Sequence, residues 1–388
     1  MPALTLDNPV MAGLTLSKYR SPQQGRSALP AGLEIISADN HVGLNEDIWF
    51  EGFPAHLKHK APRVLQRHGL WDIWVPGDAE WDARGDIERK MFDIVESSEV
   101  PGNTDLEQRM KDLAVEGYQK EIAFPQQMLR FLVHPDLEER EWIFRIYNQH
   151  LARMQQRQPG KFHGVGIANY WDPAKARESI QEIKALGLKT YMLPQHPGKT
   201  KEGVEIYYPS PEFEPLWNAV EEAGLPLCFH IGESGNAAGR NGWTTLVLER
   251  LGPFRRTFAQ LVFGGIFDRN PGIRVVFVEA GINWVPGTLQ DAEMIYDSFT
   301  DLLDPKPQLR PSEYWNKHCY AVFMADPVGL KMLDYIGADR IMWAADYPHN
   351  EGSFGYGWKA IDAVLDAVSE KDARLILGDT AREVFNLG

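Results

Sequence analysis

An Asp-x-His triplet ends the apolar run Leu33-Glu34-Ile35-Ile36-Ser37-Ala38-Asp39-Asn40-His41. The run has the length and residue types of a buried β-strand, which we predict at about 33–39. Side chains alternate between the two faces of a strand, so Asp39 and His41 should point the same way. A carboxylate and an imidazole placed like this can hold one divalent ion, provided that distant parts of the chain supply further ligands.

Seven more apolar stretches have the length and composition of buried strands. We predict strands over residues 120–125, 163–168, 188–194, 226–230, 274–279, 319–323 and 340–346. Helical spacing fills most of the gaps between them, as at Phe213, Trp217 and Val220, which precede Gly224 at a predicted helix end. Eight strands that alternate with helices predict an α/β fold, a (β/α)8 TIM-type barrel with an insertion after the first strand.

The domain organisation follows from where this alternation is missing. Residues 1–32 are mixed in character, and we predict that they form an N-terminal arm lying on the body or on a partner subunit. Residues 33–388 then form a single barrel domain. Its insertion, at about 42–118, has no clean period and contains several tryptophans. We expect those side chains to fill a small core, and the alternative is a lid that supplies aromatic walls to a pocket.

Charge and cysteine content exclude several classes of protein. The 388 residues include 40 basic and 54 acidic side chains, for a net charge of −14. This balance argues against non-specific binding of nucleic acid or anionic membranes, which requires basic patches. No apolar run is long enough to span a bilayer, and the N-terminus lacks the pattern of a secretion signal. Cys228 and Cys319 cannot form a disulfide framework, so we expect a cytoplasmic protein.

Functional groups of a (β/α)8 barrel lie at the carboxyl ends of its strands. The first predicted strand ends in Asp39 and His41, the fifth in His230, the sixth in Glu279 and the eighth in Asp346. Histidines and carboxylates that converge on one barrel mouth make a mixed nitrogen and oxygen site, which suits Zn²⁺, Mn²⁺ or Fe²⁺. We therefore expect these five residues to hold a divalent metal ion.

Three longer motifs accompany the triplet: Phe229-His230-Ile231-Gly232, the run 277–286 (FVEAGINWVP) and the run 343–349 (WAADYPH). Together they resemble the amidohydrolase superfamily, and more narrowly its amidohydrolase-2 branch, which includes aminocarboxymuconate-semialdehyde decarboxylase and resorcylate-type decarboxylases. The likeness runs from about Ile35 to the C-terminus and leaves out the arm and much of the insertion. It implies that Asp39, His41, His230 and Asp346 are metal ligands, and that Asp346 also handles protons beside the metal.

Glu279 departs from the pattern of those decarboxylases, which have a histidine at this strand end. The resemblance therefore supports the decarboxylase mechanism less directly, although a glutamate can move protons or bind metal. The additional oxygen donor would suit a second ion, as in the few members of the superfamily that resemble dinuclear iron or iron–manganese oxygenases. His196 and His349 are candidates for further donors. Glu279 could instead be a structural carboxylate hydrogen-bonded to backbone amides or paired with an arginine.

Two neighbouring loops supply weaker candidates. His349 follows Pro348, and it either takes part in catalysis or only fixes the conformation of its loop. We interpret His196 as a loop residue. The glycine-rich segment 232–240 lacks the Gly-Lys-Ser/Thr ending of a nucleotide-binding loop. We interpret it as a loop over the barrel mouth in which Arg240 is a candidate for binding a substrate carboxylate.

The first functional hypothesis is hydrolysis of a small carbonyl or carboxylate compound by a metal-activated water. Asp346, with Glu279 as a partner, would take up and return the proton. The alternatives are non-oxidative decarboxylation of an aromatic or unsaturated acid, oxygen chemistry at a dinuclear iron or iron–manganese site, and a non-catalytic partner subunit. The expected partners are a small-molecule substrate and other subunits, in a homo-oligomer or a hetero-oligomer with a related chain.

Overall fold

A computed structural model describes residues 29–67, 70–77, 100–232, 245–246, 248–249, 254–349 and 352–388. Most of the predicted N-terminal arm and part of the predicted insertion lie outside these residues. The division into an arm at 1–32, a barrel at 33–388 and an insertion at about 42–118 therefore stays a prediction.

Eight parallel strands form one sheet, in which neighbouring strands follow one another in chain order. Their bounds are β1 Ile36–Val42, β4 Lys120–Pro125, β5 Phe162–Ile167, β6 Thr190–Met192, β7 Leu227–His230, β8 Val275–Val278, β9 Cys319–Phe323 and β10 Ile341–Trp343. Each of the eight predicted strands is present, and almost every strand residue is buried, as expected for a parallel sheet covered by helices. The predicted (β/α)8 barrel is confirmed.

Helices connect successive strands and cover the outside of the barrel. The α-helices of the described residues are α1 Leu106–Glu116, α2 Leu137–Arg157, α3 Pro173–Ala185, α4 Glu214–Ala223, α5 Phe254–Phe263, α6 Ile266–Arg269, α7 Trp284–Ser298, α8 Pro311–His318, α9 Pro327–Leu330, α10 Leu333–Ile336, α11 Gly357–Ala367, α12 Glu370–Arg374 and α13 Thr380–Val384. Short 3₁₀ turns lie between them, and a π-helical turn, Leu375–Asp379, joins α12 to α13. Within the described part of the chain, no helix combines the length and apolar character required to cross a bilayer.

Local sequence explains where the helices begin and end. The Asp105 side chain caps α1 by accepting hydrogen bonds from the backbone N–H groups of Glu107 and Gln108, at 2.9 and 3.1 Å. At the other end, Gly117 has φ +95°, a left-handed conformation that glycine adopts without steric cost. The same rule ends α4 at Gly224, as predicted.

The barrel closes between β1 and the segment that follows β10. The backbone N–H of Asp346 donates to the Asp39 carbonyl at 2.9 Å, and the N–H of His41 donates to the Tyr347 carbonyl at 2.6 Å. The Ser37 hydroxyl accepts a further bond from the N–H of Ala345 at 2.8 Å. Barrel closure therefore brings the Asp-x-His triplet and Asp346 together through the backbone.

An antiparallel hairpin, β2 Arg63–Arg67 and β3 Leu70–Trp74, lies in the segment predicted as an insertion. No strand was predicted there, because this segment has no clean alternation. The Gln127 side chain donates to the Trp71 carbonyl at 3.0 Å, and Arg130 donates to the Ile73 carbonyl at 3.1 Å. These bonds attach the hairpin to the chain just beyond β4, on the side of the barrel where the strands end.

Candidate metal centre

The five residues predicted as metal ligands meet at the carboxyl end of the barrel. Asp39 and His41 lie inside β1, which continues to Val42 instead of ending at 39 as predicted. His230 is the last residue of β7, and Glu279 directly follows β8. Asp346 lies beyond β10, which is shorter than the predicted strand 340–346. Exposure of all five residues is 3% or less.

The side-chain donor atoms converge on a common point. Asp39, His41, His230 and Glu279 each offer one donor atom, and these atoms all lie within 4.8 Å of one another. The His230 Nε2 atom is 3.5 Å from Asp39 Oδ1 and 3.1 Å from Glu279 Oε2. The His41 Nε2 atom is 3.7 Å from Asp39 Oδ1 and 3.4 Å from Asp346 Oδ1. The structure thus brings the predicted donors together.

His349 joins the cluster from the loop after β10. Its Nδ1 atom is 2.9 Å from Asp346 Oδ1 and 3.6 Å from Glu279 Oε1. Its ring lies 3.9 Å from that of His41, centroid to centroid. A second group of converging donors therefore consists of His41, Glu279, Asp346 and His349, and it shares two members with the first group.

Two of the carboxylates are placed by unusual backbone conformations. Glu279 has φ +71° and Asp346 has φ +53°, although neither residue is a glycine. Such left-handed residues cost conformational free energy and persist only where the surrounding structure enforces them. Both follow a barrel strand directly or closely, and both side chains reach a group of converging donors. Two of the three left-handed non-glycine residues in the described part of the chain therefore carry the candidate chemistry, and the third, Asn386, lies near the C-terminus.

Hydrogen bonds at the far side of two imidazole rings fix which nitrogen faces the cluster. Nδ1 of His230 lies 2.6 Å from the Ile231 carbonyl oxygen, an acceptor, so this nitrogen carries the proton. Nε2 is then free to act as a metal ligand, since a backbone partner of this kind selects the tautomer. In His349, Nε2 pairs with Gln126 Oε1 at 2.9 Å and leaves Nδ1 directed at the carboxylates.

Burial and mutual charge shift the pKa values of this cluster strongly. Burial raises the pKa of Asp39 to about 6, against the opposing effect of His230. Burial alone would lower the pKa of His230, but the Glu279 and Asp39 carboxylates outweigh it and raise that pKa to about 9. Burial lowers the pKa of His41 well below its ordinary value, and His349 adds to the effect. Burial also raises the pKa of Asp346 well above its ordinary value.

The residues present fit a divalent cation. Both carboxylate oxygens of Asp39 and the Nε2 atoms of His41 and His230 are buried, and none of them has a hydrogen-bond partner among the described residues. Buried polar atoms without partners are costly, so a cluster of them directed at one point indicates a ligand that completes it. Two imidazoles with two or three carboxylates form the donor set expected for Zn²⁺, Mn²⁺ or Fe²⁺.

The other predicted candidates lie elsewhere. His196 follows β6 with an exposed side chain and belongs to neither donor group found among the described residues. Arg240 lies outside the described residues, so its predicted contact with a substrate carboxylate stays a prediction.

Sequence reasoning did not single out the polar residues behind the cluster, among them Arg109 and Glu121. Glu121 is a charged residue inside the apolar pattern of β4, and this is the signal that could have identified it. Arg109 occupies the otherwise ordinary helix α1. Their ion pair is completely buried, with Nη2 of Arg109 2.6 Å from Oε2 of Glu121.

Sequence comparison finds relatives of the kind that the motifs indicated. The chain is 25% identical to 2-amino-3-carboxymuconate-6-semialdehyde decarboxylase of Dictyostelium discoideum over 243 residues, which are 62% of this chain and 65% of that protein, slightly less than two thirds of it. It is 26% identical to gamma-resorcylate decarboxylase of Rhodococcus jostii (strain RHA1) over 272 residues, which are 65% of this chain and 79% of the relative.

A solved structure has the same fold. It is 5-carboxyvanillate decarboxylase from Novosphingobium aromaticivorans DSM 12444, complexed with manganese and 4-hydroxy-3-methoxy-5-nitrobenzoic acid. The TM-score is 0.67 at 19% identity, over 96% of this chain and 100% of that one. The family model described as Amidohydrolase matches residues 98–387, well over half of the chain, and so confirms the resemblance inferred from the motifs. This chain belongs to the amidohydrolase family.

Proposed function

We propose that the protein is a metal-dependent decarboxylase that releases CO₂ from a small aromatic or unsaturated carboxylic acid without net oxidation. The observation that carries this proposal is the buried cluster of histidines and carboxylates at the barrel mouth. The relatives described above are named decarboxylases, which favours this alternative over our first hypothesis, hydrolysis. The supporting physical argument is that a dry, charged site can bind and activate a carboxylate.

In this proposal the cation is held by Asp39, His41, His230 and Asp346, with Glu279 beside them. When bound, a divalent ion supplies positive charge that stabilises the electron density left on the substrate as the carbon–carbon bond breaks. The Phe124 ring packs against His230 at 4.7 Å, centroid to centroid, and gives the site an apolar wall that keeps water out.

The proposed reaction replaces the carboxyl group of the substrate with one proton. The bond between the substrate carbon and its carboxyl carbon breaks, CO₂ leaves, and the electron pair remaining on the carbon takes up a proton. We assign delivery of this proton to Asp346, which is buried at the centre of the cluster. His349 lies 2.9 Å from Asp346 and is 15% exposed, so it is placed to return a proton from solvent.

The direct test is CO₂ release by the manganese-loaded protein from a panel of ortho-hydroxybenzoic acids and unsaturated dicarboxylic acids. We expect CO₂ from at least one member of the panel, and a loss of at least about 100-fold in Asp346→Asn. Asp297→Asn is the matched control, because Asp297 is a solvent-exposed carboxylate paired with Arg310 on the surface. Wild-type turnover by Asp346→Asn would show that Asp346 does not deliver the proton.

The second donor group favours one further candidate function. Within this group, Glu279, Asp346 and His349 could hold another ion next to the first, as expected for a dinuclear oxygenase, while the Nε2 atom of His41 stays with the first ion. Metal analysis and an oxygen electrode separate the two functions. One ion per chain without O₂ uptake supports the decarboxylase, whereas two ions including iron, with O₂ uptake that depends on substrate, support the oxygenase.

A further inference from the structure

Asn40 separates the two donors of β1, and its side chain connects three parts of the barrel. Its Oδ1 atom accepts hydrogen bonds from the Tyr347 N–H at 2.9 Å and from the Ser37 hydroxyl at 3.0 Å. Its Nδ2 atom donates to Glu121 Oε2 at 2.6 Å. A single amide thus ties β1 to β4 and to the residue that follows Asp346.

Glu121 is in turn held by a guanidinium group. Arg109 donates from Nε to Glu121 Oε1 at 2.7 Å and from Nη2 to Oε2 at 2.6 Å. Its third donor, Nη1, reaches the backbone carbonyl of His41 at 2.6 Å. Arg109, Glu121 and Asn40 are all 0% exposed. The guanidinium group of Arg109 therefore binds the Glu121 carboxylate and the backbone of His41, a candidate metal ligand, at the same time.

Tyr347 carries the same network to the other side of the cluster. The Arg109 guanidinium lies over its ring, 4.9 Å from the centroid, and the Tyr347 hydroxyl donates to Asp112 Oδ2 at 2.7 Å. Arg109 and Asp112 are both on α1. This helix therefore holds the backbone of His41 and the residue next to Asp346 together.

The buried ion pair between Arg109 and Glu121 makes this hydrogen-bond network rigid. A buried ion pair compensates its desolvation only when its geometry is good and its remaining donors and acceptors are satisfied. The planar fork of arginine fixes direction as well as distance, so small displacements of Glu121 or of the His41 carbonyl are penalised. The donor atoms of β1 and the loop after β10 are thereby held at one separation before any ion binds.

We propose that Asn40, Glu121 and Arg109 are positioning residues, which set the distance between the Asp39–His41 donors and Asp346. This inference rests on the proposed metal ligands. None of the three side chains supplies a donor atom to the cluster, so each would act through the backbone of its neighbours. Partners that orient metal ligands typically contribute tenfold to hundredfold in metal affinity.

The test is the Mn²⁺ dissociation constant of the full-length Asn40→Ala variant, measured by titration with electron paramagnetic resonance detection of free Mn²⁺. We expect the dissociation constant to rise about tenfold to hundredfold. Asn148→Ala is the matched control, because the Asn148 side chain is also buried and bonds the backbone N–H and carbonyl of Ile167, at 2.9 and 3.0 Å. The hydrogen bonds of the Asn148 side chain go to Ile167 and not to the cluster, so its variant should bind Mn²⁺ within about threefold of wild type.

Wild-type Mn²⁺ affinity in Asn40→Ala would overturn the positioning role, as would an equal loss of affinity in Asn148→Ala. If Asn40→Ala does not fold, Arg109→Lys replaces it, since lysine keeps the charge opposite Glu121 but loses the fork to the His41 carbonyl. Its dissociation constant should also rise, and an unchanged value would overturn the proposal. Failure of the wild-type protein to bind Mn²⁺ would instead contradict the ligand assignment on which the proposal rests.

Discussion

Metal binding should release protons, because the cluster holds protons that a cation must displace. With a pKa of about 9, His230 is almost fully protonated at about pH 7.5 in the metal-free protein, and only its neutral form can bind metal. Asp39, with a pKa of about 6, is already mostly ionised at that pH. His41 is already neutral, because its pKa is lowered well below the ordinary value.

The number of protons released on metal binding follows from these protonation states. His230 alone should release about one proton at pH 7.5. Each released proton makes the apparent Mn²⁺ dissociation constant fall about tenfold per pH unit, so binding should tighten from about pH 6.5 to 8.5. Below about pH 6, Asp39 contributes a further proton, and binding should weaken more steeply.

Calorimetric titration with Mn²⁺ in buffers of different ionisation enthalpy measures the number of protons released. The His230→Gln variant should bind more weakly and release about one proton fewer, since glutamine binds metal through a neutral oxygen. His56→Gln is the matched control, because His56 is an exposed histidine paired with Glu138 on the surface. A binding enthalpy that does not depend on the buffer, or equal proton release by wild type and His230→Gln, would refute this reasoning.

Three further outcomes are expected. Asp39→Asn should lower the manganese content sharply while the protein stays folded, which metal analysis and circular dichroism together measure. Mn²⁺ at about 100 times its dissociation constant should stabilise the protein by about 2.7 kcal/mol, and chelation should reverse the rise in thermal unfolding temperature. Gly102→Ala should destabilise by about 1–3 kcal/mol in denaturant unfolding, because its Cβ would clash with the Tyr347 hydroxyl and lie 2.8 Å from Arg109 Cα.

The barrel was predictable because buried parallel strands have a strong apolar signal. The predicted strands 120–125 and 319–323 coincide with β4 and β9. The candidate donors could be predicted for the same reason, since they stand where an apolar run gives way to a charged or imidazole side chain. Asp346 illustrates the limit: its backbone is left-handed, and β10 ends at Trp343, before the apolar pattern does.

The residues behind the cluster could not be predicted from local patterns. Arg109 lies on a helix between two half-buried residues, and its burial depends on Glu121, which comes from the adjacent strand. A charged side chain on such a helix is ordinarily solvent-exposed, and only the tertiary pairing makes it part of the core. The hairpin β2–β3 was missed for a related reason, because its residues lack the alternation that reveals a strand.

Exchange of a carboxyl group for a solvent proton distinguishes decarboxylation from both hydrolysis and oxygenation. Turnover of an accepted acid in D₂O, followed by mass spectrometry of the product and quantification of CO₂, measures this exchange directly. The proposed function predicts one CO₂ per product molecule and one deuterium on the carbon that lost the carboxyl group. A product that has gained an oxygen atom from water or from O₂, without release of CO₂, would contradict it.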